Sequence, residues 1–315
     1  MNKRILLFIL CCAPLEIAHG QLAGTPGSFS RLGFGARGMG MGNALTAITS
    51  HELTSYYNPA LPSFAESRSA SATYGFLSLD RRLGFLNYTQ AIQPTAGLSA
   101  GIIYSGIHDI DGRDSDGEHT DNYSTSEYQF FFAFSNKFTE QLSVGLAVKF
   151  FYNDLFQDAT ATAVGIDAGL IYKVTESLTV GAVIQDINAR YHWDTANLYG
   201  RSGTPTSDAF PLLKRLGIAY RLPDRRGDVA LEIENNNQGT TLIRAGAEIV
   251  ATEYLTVRGG IDRMQTTKNE NGVKPSLGFT IQKGFDGLSP SLSYAYVSEP
   301  FSTGGMSIVS ISFGF

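Results

Sequence analysis

From Ser69 to Phe315 the chain repeats with a period of two. Leu142, Val144, Leu146, Val148, Phe150 and Tyr152 alternate with Ser143, Gly145, Ala147, Lys149, Phe151 and Asn153. Leu255, Val257, Gly259 and Ile261 alternate with Thr256, Arg258, Gly260 and Asp262. Successive side chains of a strand point to opposite faces, so this pattern predicts strands with one apolar and one small or polar face. About fourteen such segments run near 69–79, 83–92, 98–107, 122–135, 142–153, 161–174, 178–187, 212–222, 228–235, 241–251, 255–262, 274–283, 291–297 and 307–315. Most have the length of about nine to eleven residues that a tilted strand needs to cross a bilayer. A single strand would fit a water-soluble sheet equally well with its faces inverted. The set as a whole decides.

The connections supply that decision. If both ends of the strand array lie on the periplasmic side, the odd-numbered connections face outward, and they include the long polar stretches 108–121, 188–211, 263–273 and 298–306. The even-numbered ones are short, as at Thr175 to Ser177 and Pro223 to Gly227. Only the first outward turn, Asp80-Arg81-Arg82, breaks the rule. Long outer loops alternating with short inner turns, with an even strand count, are the marks of a bacterial membrane barrel. The final strand alternates Val309, Ile311, Phe313 and Phe315 with smaller residues, and the chain stops on Phe315. An amphipathic last strand ending in Phe looks like the assembly signal of outer-membrane barrels, carried by Phe313 and Phe315.

Composition agrees. Charged residues are 17% of the 315, below the roughly 25% of soluble domains. The net charge of -5 argues against a nucleic-acid partner. The first twenty residues read as an export signal: Lys3-Arg4, an apolar stretch from Ile5 to Pro14, then Ala18-His19-Gly20 before a cleavage point at Gln21. Cys11 and Cys12 both fall inside it, which excludes disulfides, thiol catalysis and Cys-ligated zinc in the mature chain. The expected organisation is a signal peptide over 1–20, a non-alternating segment over 21–66 and a transmembrane β-barrel over 67–315, in the outer membrane of a Gram-negative-type bacterium.

Residues 21–66 do not alternate. They run through a glycine-rich stretch from Arg31 to Gly42, a short predicted helix from Asn43 to Ile48, and Tyr56-Tyr57-Asn58-Pro59-Ala60. Gly33, Gly35 and Gly38 match G-x-G-x-x-G, but no strand precedes them, so a dinucleotide site is rejected. Close packing explains the glycines better. Gly38, Gly40 and Gly42 would let the segment lie against a wall, and Asn58-Pro59 would form a rigid turn leading into the first strand.

The run from Gly35 to Ile48, followed by Tyr56-Tyr57-Asn58-Pro59-Ala60, resembles the N-terminal signature of PorV/PorQ-type outer-membrane proteins, relatives of the FadL-type transporters. Asp109 to Asp114 and Trp193-Asp194-Thr195 extend the resemblance, and His51-Glu52-Leu53 departs from it. The resemblance implies a fourteen-stranded barrel with an internal N-terminal hatch. It implies either of two jobs: binding the C-terminal signal domains of cargo in type IX secretion, the first expectation, or passing hydrophobic small molecules such as fatty acids and aromatic hydrocarbons, the alternative.

Two clusters stand out on the predicted barrel. Arg215, Glu232, Arg244, Glu248, Arg258 and Asp262 fall on the lumen-facing phase with mixed signs, which predicts cross-strand pairs in a wall or plug contact. Asp109, Asp111, Asp114, Asp116 and Glu118 suit calcium by oxygen density, but Arg113 breaks the EF-hand spacing, and a solvated acidic loop is the plainer reading. No other cofactor is expected. Neither G-x-S-x-G nor H-E-x-x-H occurs, and the reading is not an enzyme. The remaining expected partners are outer-membrane lipid and the barrel-assembly machinery.

Overall fold

The computed structural model describes residues 24–156, 159–194, 206–265, 272–285, 287–300, 302 and 304–315. The expected export signal and Thr195 lie outside them. Sixteen strands form one antiparallel sheet: β1 Ser69–Phe76, β2 Arg82–Ile92, β3 Ala96–Arg113, β4 His119–Lys137, β5 Leu142–Phe156, β6 Ala159–Lys173, β7 Leu178–Ile187, β8 Arg190–Asp194, β9 Thr206–Ala209, β10 Leu213–Arg221, β11 Gly227–Asn236, β12 Thr241–Val250, β13 Leu255–Gln265, β14 Lys274–Gln282, β15 Ser289–Val297 and β16 Met306–Gly314.

Fourteen of them close into a barrel. β1 pairs with β16 in register from Ser69↔Gly314 to Phe76↔Ser307, and β5 pairs with β6, so the ladder has no free edge. The fourteen wall strands match the fourteen alternating segments. β8 and β9 are additional. β6 begins at Ala159 and extends past the end of β7 at Ile187, which leaves its outer end unpaired. β8 covers that edge through His192↔Thr162 and Asp194↔Thr160, and β9 pairs with β8.

The alternation sorts as the two-residue period predicts. Leu146, Val148 and Phe150 are exposed on the outside, while Ser143, Lys149 and Phe151 are buried inside. Outward aromatic rings stack across strands: Tyr104 lies 5.1 Å from Tyr128, and Tyr128 lies 6.3 Å from Tyr152. An apolar exterior with rows of aromatics is what lipid and its interface select, and the protein is an outer-membrane barrel. No helix among the described residues is long and apolar enough to cross a membrane.

Two expectations change here. The acidic stretch 108–121 is not a loop: β3 runs on to Arg113 and β4 starts at His119, so only 114–118 turn. Register shifts at Ile107/Ile110 and Asp111/Arg113, with Asp109 at φ 58°, let this hairpin bend as it leaves the wall. The short helix is Gly35–Gly40 (α1), not Asn43–Ile48. Gly42, at φ 60°, ends it, Asn43 N turns back to the Gly38 carbonyl, and the Asn43 side-chain amide binds the Leu32 carbonyl and Asp262.

Candidate functional site: a hatch sealed into the barrel

Residues 24–68 lie inside the barrel and enter the wall at Ser69. Their backbone comes so close to the wall that the facing strand residues must be glycine. A Cβ on Gly145 of β5 would stand 2.1 Å from the Pro59 oxygen, one on Gly246 of β12 would stand 2.2 Å from the Met41 oxygen, and one on Gly260 of β13 would stand 2.2 Å from the Gly42 nitrogen. Gly42, at φ 60°, is tied to the wall in the same way, since its own Cβ would meet the Ile261 backbone at 2.6 Å. Gly40 is looser, with the flexible Arg258 side chain at 3.0 Å. Gly38 departs from the expectation. It packs on the Tyr57 ring within the hatch, not on the wall, and this frees Tyr57 to bond Asn43 and the Phe34 carbonyl.

Asn58 does more than turn the chain. Fully buried, it donates to the Thr46 carbonyl and to the Leu170 carbonyl of β6, and its Oδ1 accepts from Ala60 N. With Pro59 fixed over Gly145, this pair clamps the hatch to β5 and β6 rather than leading straight into β1. Further along, Ser63 bonds Ser135 and Ser143, and Glu52 accepts a bond from Ser312.

The lumen charges come together as pairs. Arg215 Nε is 2.6 Å from Glu234 on the facing strand. Arg244 bridges Glu232 at 2.8 Å and Asp262 at 2.7 Å, and Arg258 lies 3.5 Å from Glu248. The hatch completes this network. Thr46 N donates to Glu232, Asn43 donates to Asp262, and Arg37 binds both oxygens of Glu248 at 3.2 and 2.5 Å while donating to the Ser50 and Glu52 carbonyls. Burial by itself would lower the pKa of Arg37; the facing Glu248 carboxylate outweighs it and holds the guanidinium above its ordinary value.

A second charge cluster escaped the sequence reading. Lys149 of β5 sits 2.7 Å from Asp167 of β6 and 2.9 Å from Asp186 of β7, with Arg31 of the hatch 3.9 Å from Asp186. The signal was present as opposite charges on the inward phase of neighbouring strands, but the bulge that turns Asp186 inward was not visible.

Neither candidate metal constellation holds together as one. Asp111 is taken by Arg113 and His119, and Asp114 Oδ1 caps the turn by accepting from Asp116 N and Glu118 N. Among the described residues, the group whose ligand atoms converge is His51, Asp228 and Glu248. There Arg37 holds Glu248, and Ser50 and Arg221 hold Asp228, so these carboxylates serve charge pairing.

The hatch divides the lumen into two cavities of about 340 Å³ each. The outer one is walled by Phe29, Leu32, Ile107 and Leu242, with Arg31 and Glu127 among its polar residues. The inner one opens at the rim where β1 and β16 end, around His51, Glu52, Arg221 and Ser312. Phe313 and Phe315 are exposed on the outside of that rim.

The same fold is found in solved structures of channel proteins. The toluene transporter TodX of Pseudomonas putida superposes with a TM-score of 0.62 over 90% of this chain and 98% of its own, at 14% identity. A FadL homologue of Pseudomonas aeruginosa gives 0.62 over 90% and 98%, at 13% identity. The family model for a putative MetA-pathway of phenol degradation matches residues 81–200. No curated protein matches the chain in sequence. These likenesses show the fold and do not single out the PorV/PorQ branch.

Proposed function

We propose that this protein is a channel that carries hydrophobic small molecules, aromatic hydrocarbons among them, across the outer membrane, with the hatch as its gate. The observation that carries the reading is the sealed lumen. Hatch backbone lies directly on the inward glycines Gly145, Gly246 and Gly260 of the wall, so among the described residues the hatch fills the lumen at these points. What remains is a chamber on the outer side, where Phe29, Leu32, Ile107 and Leu242 offer an apolar face amid charged residues such as Arg31, Arg244 and Glu127, large enough for one small aromatic guest. The fold shared with structures described as a toluene transporter and a monoaromatic hydrocarbon channel supports the same reading. Nothing in the likenesses favours the cargo-binding role in type IX secretion, and the alternative expectation takes its place.

The test is accumulation of radiolabelled toluene by whole cells lacking other hydrophobic channels, with and without this barrel in the outer membrane. Cells with the barrel should accumulate toluene several-fold faster at early times. Equal rates would remove the channel reading.

A further inference from the structure

The outer chamber brings Arg31 and Glu127 to one side, and the inner wall behind them holds an unmatched glutamine. Arg31 is buried, and its Nη2 is spent on Thr25 and the Pro26 carbonyl. Its Nη1 makes no hydrogen bond. Glu127 lines the same chamber, and its carboxylate accepts one bond, from Asn153 Nδ2 at 3.1 Å. Behind Glu127, Gln129 is 1% exposed and neither atom of its amide has a partner. Glu127 faces Asn153 and Gln129 faces Phe151 across the β4–β5 ladder, so these groups share one patch of inner wall. Buried polar groups are nearly always bonded, and a local concentration of exceptions calls for a missing partner.

The surroundings of that patch are aromatic. Phe151 and Phe210 have ring centroids 4.7 Å apart, Tyr191 and Phe210 4.8 Å, and Tyr191 and Trp193 5.7 Å. Phe29 and Leu32 of the hatch complete the apolar side of the chamber.

We propose that the outer chamber selects hydroxyl-bearing aromatic molecules, the ring against the apolar side and the hydroxyl between Arg31 Nη1 and the Glu127 carboxylate. The inference rests on the channel reading and narrows its substrate class. A hydroxyl both accepts and donates, so it can take a bond from the Arg31 guanidinium while bonding the Glu127 carboxyl group in either protonation state. A plain hydrocarbon leaves Arg31 Nη1 without a hydrogen bond, 3.9 Å from Asp186, and Glu127 with the single bond from Asn153.

The test is calorimetric titration of the detergent-solubilised barrel with p-cresol and with p-xylene, which differ by hydroxyl against methyl. p-Cresol should bind about tenfold or more tightly, since a bond to a charged group is at stake. The variant Glu127→Leu should bring that ratio toward one through loss of p-cresol affinity, and Glu127→Gln should keep part of it. Folding of each variant is checked by heat-modifiable mobility on gels. Equal affinity of the wild-type protein for the two ligands would overturn the inference, because water would then satisfy the polar groups. Tighter binding of benzoate than of p-cresol would overturn it in favour of an anion site. If neither ligand binds while cells still accumulate toluene through the barrel, the chamber is not a selective site and the channel reading stands. If toluene accumulation also fails, both fall.

Discussion

Alanine at position 260 will unseat the hatch, and alanine at 259 will leave it docked. The two glycines are neighbours on β13 and point to opposite faces. A Cβ at 260 would lie 2.2 Å from the Gly42 nitrogen and 2.3 Å from the Met41 carbonyl carbon. Those are backbone atoms and have no rotamer by which to withdraw. The nearest contact of a Cβ at 259 is Leu277 Cδ2 at 3.4 Å, an ordinary van der Waals distance. Overpacking of this kind destabilises by about 1–3 kcal/mol, and here the wall ladder closes on itself, so the strain falls on the hatch. In planar bilayers the wild-type barrel should be electrically silent. Gly260→Ala should show bursts of ion conductance, and Gly259→Ala should stay silent. Silence of a correctly folded Gly260→Ala barrel would mean that the contact at Gly42 does not hold the seal.

The second large effect is expected at Glu248. Removing one partner of a buried ion pair destabilises by about 3–5 kcal/mol, because the other charge stays buried alone. Glu248→Ala strands Arg37 on the hatch helix α1. Arg258 loses its only carboxylate within 4 Å among the described residues but keeps its bond to Thr280. Hydrogen exchange of the amides around α1 should then speed up in line with that loss. Replacing Arg37 and Glu248 together by leucine should recover a substantial part of the protection, since no unpaired charge is left on α1. If the double variant exchanges as fast as Glu248→Ala, the pair acts through something other than charge.

The wall was legible in the sequence because its rule is local. Leu146 and Lys149 differ in phase, and the phase alone assigns one to lipid and the other to the lumen. The hatch obeys no period, and its fit is set by residues far away in the chain. Gly145 is needed because Pro59 passes over it, and nothing near Gly145 announces that. Gly38 looked like its neighbours Gly40 and Gly42, yet it serves Tyr57, because a six-residue helix turns its glycines in different directions. The charge cluster on β10 to β13 was visible as mixed signs on one phase, whereas its partners Arg37, Asn43 and Thr46 were not. The unmatched corner around Gln129 was equally hidden. A glutamine on the inward phase is unremarkable until the absence of its bonds is seen in three dimensions.

The account turns on the hatch being the gate for hydrophobic guests, and two crosslinks test that most directly. Ser63 Oγ and Ser143 Oγ are 2.8 Å apart, and Ser50 Oγ is hydrogen-bonded to the Asp228 carboxylate. Cysteines at 63 with 143, and at 50 with 228, would pin the hatch to β5 and to β11 by disulfides. The two native cysteines, Cys11 and Cys12, precede the expected cleavage point and would not compete. Toluene accumulation by cells carrying the doubly locked barrel is then measured before and after reduction. Accumulation at the rate of cells without the barrel when oxidised, restored by dithiothreitol, is the predicted result. Accumulation at the full wild-type rate through the oxidised, locked barrel would contradict the account.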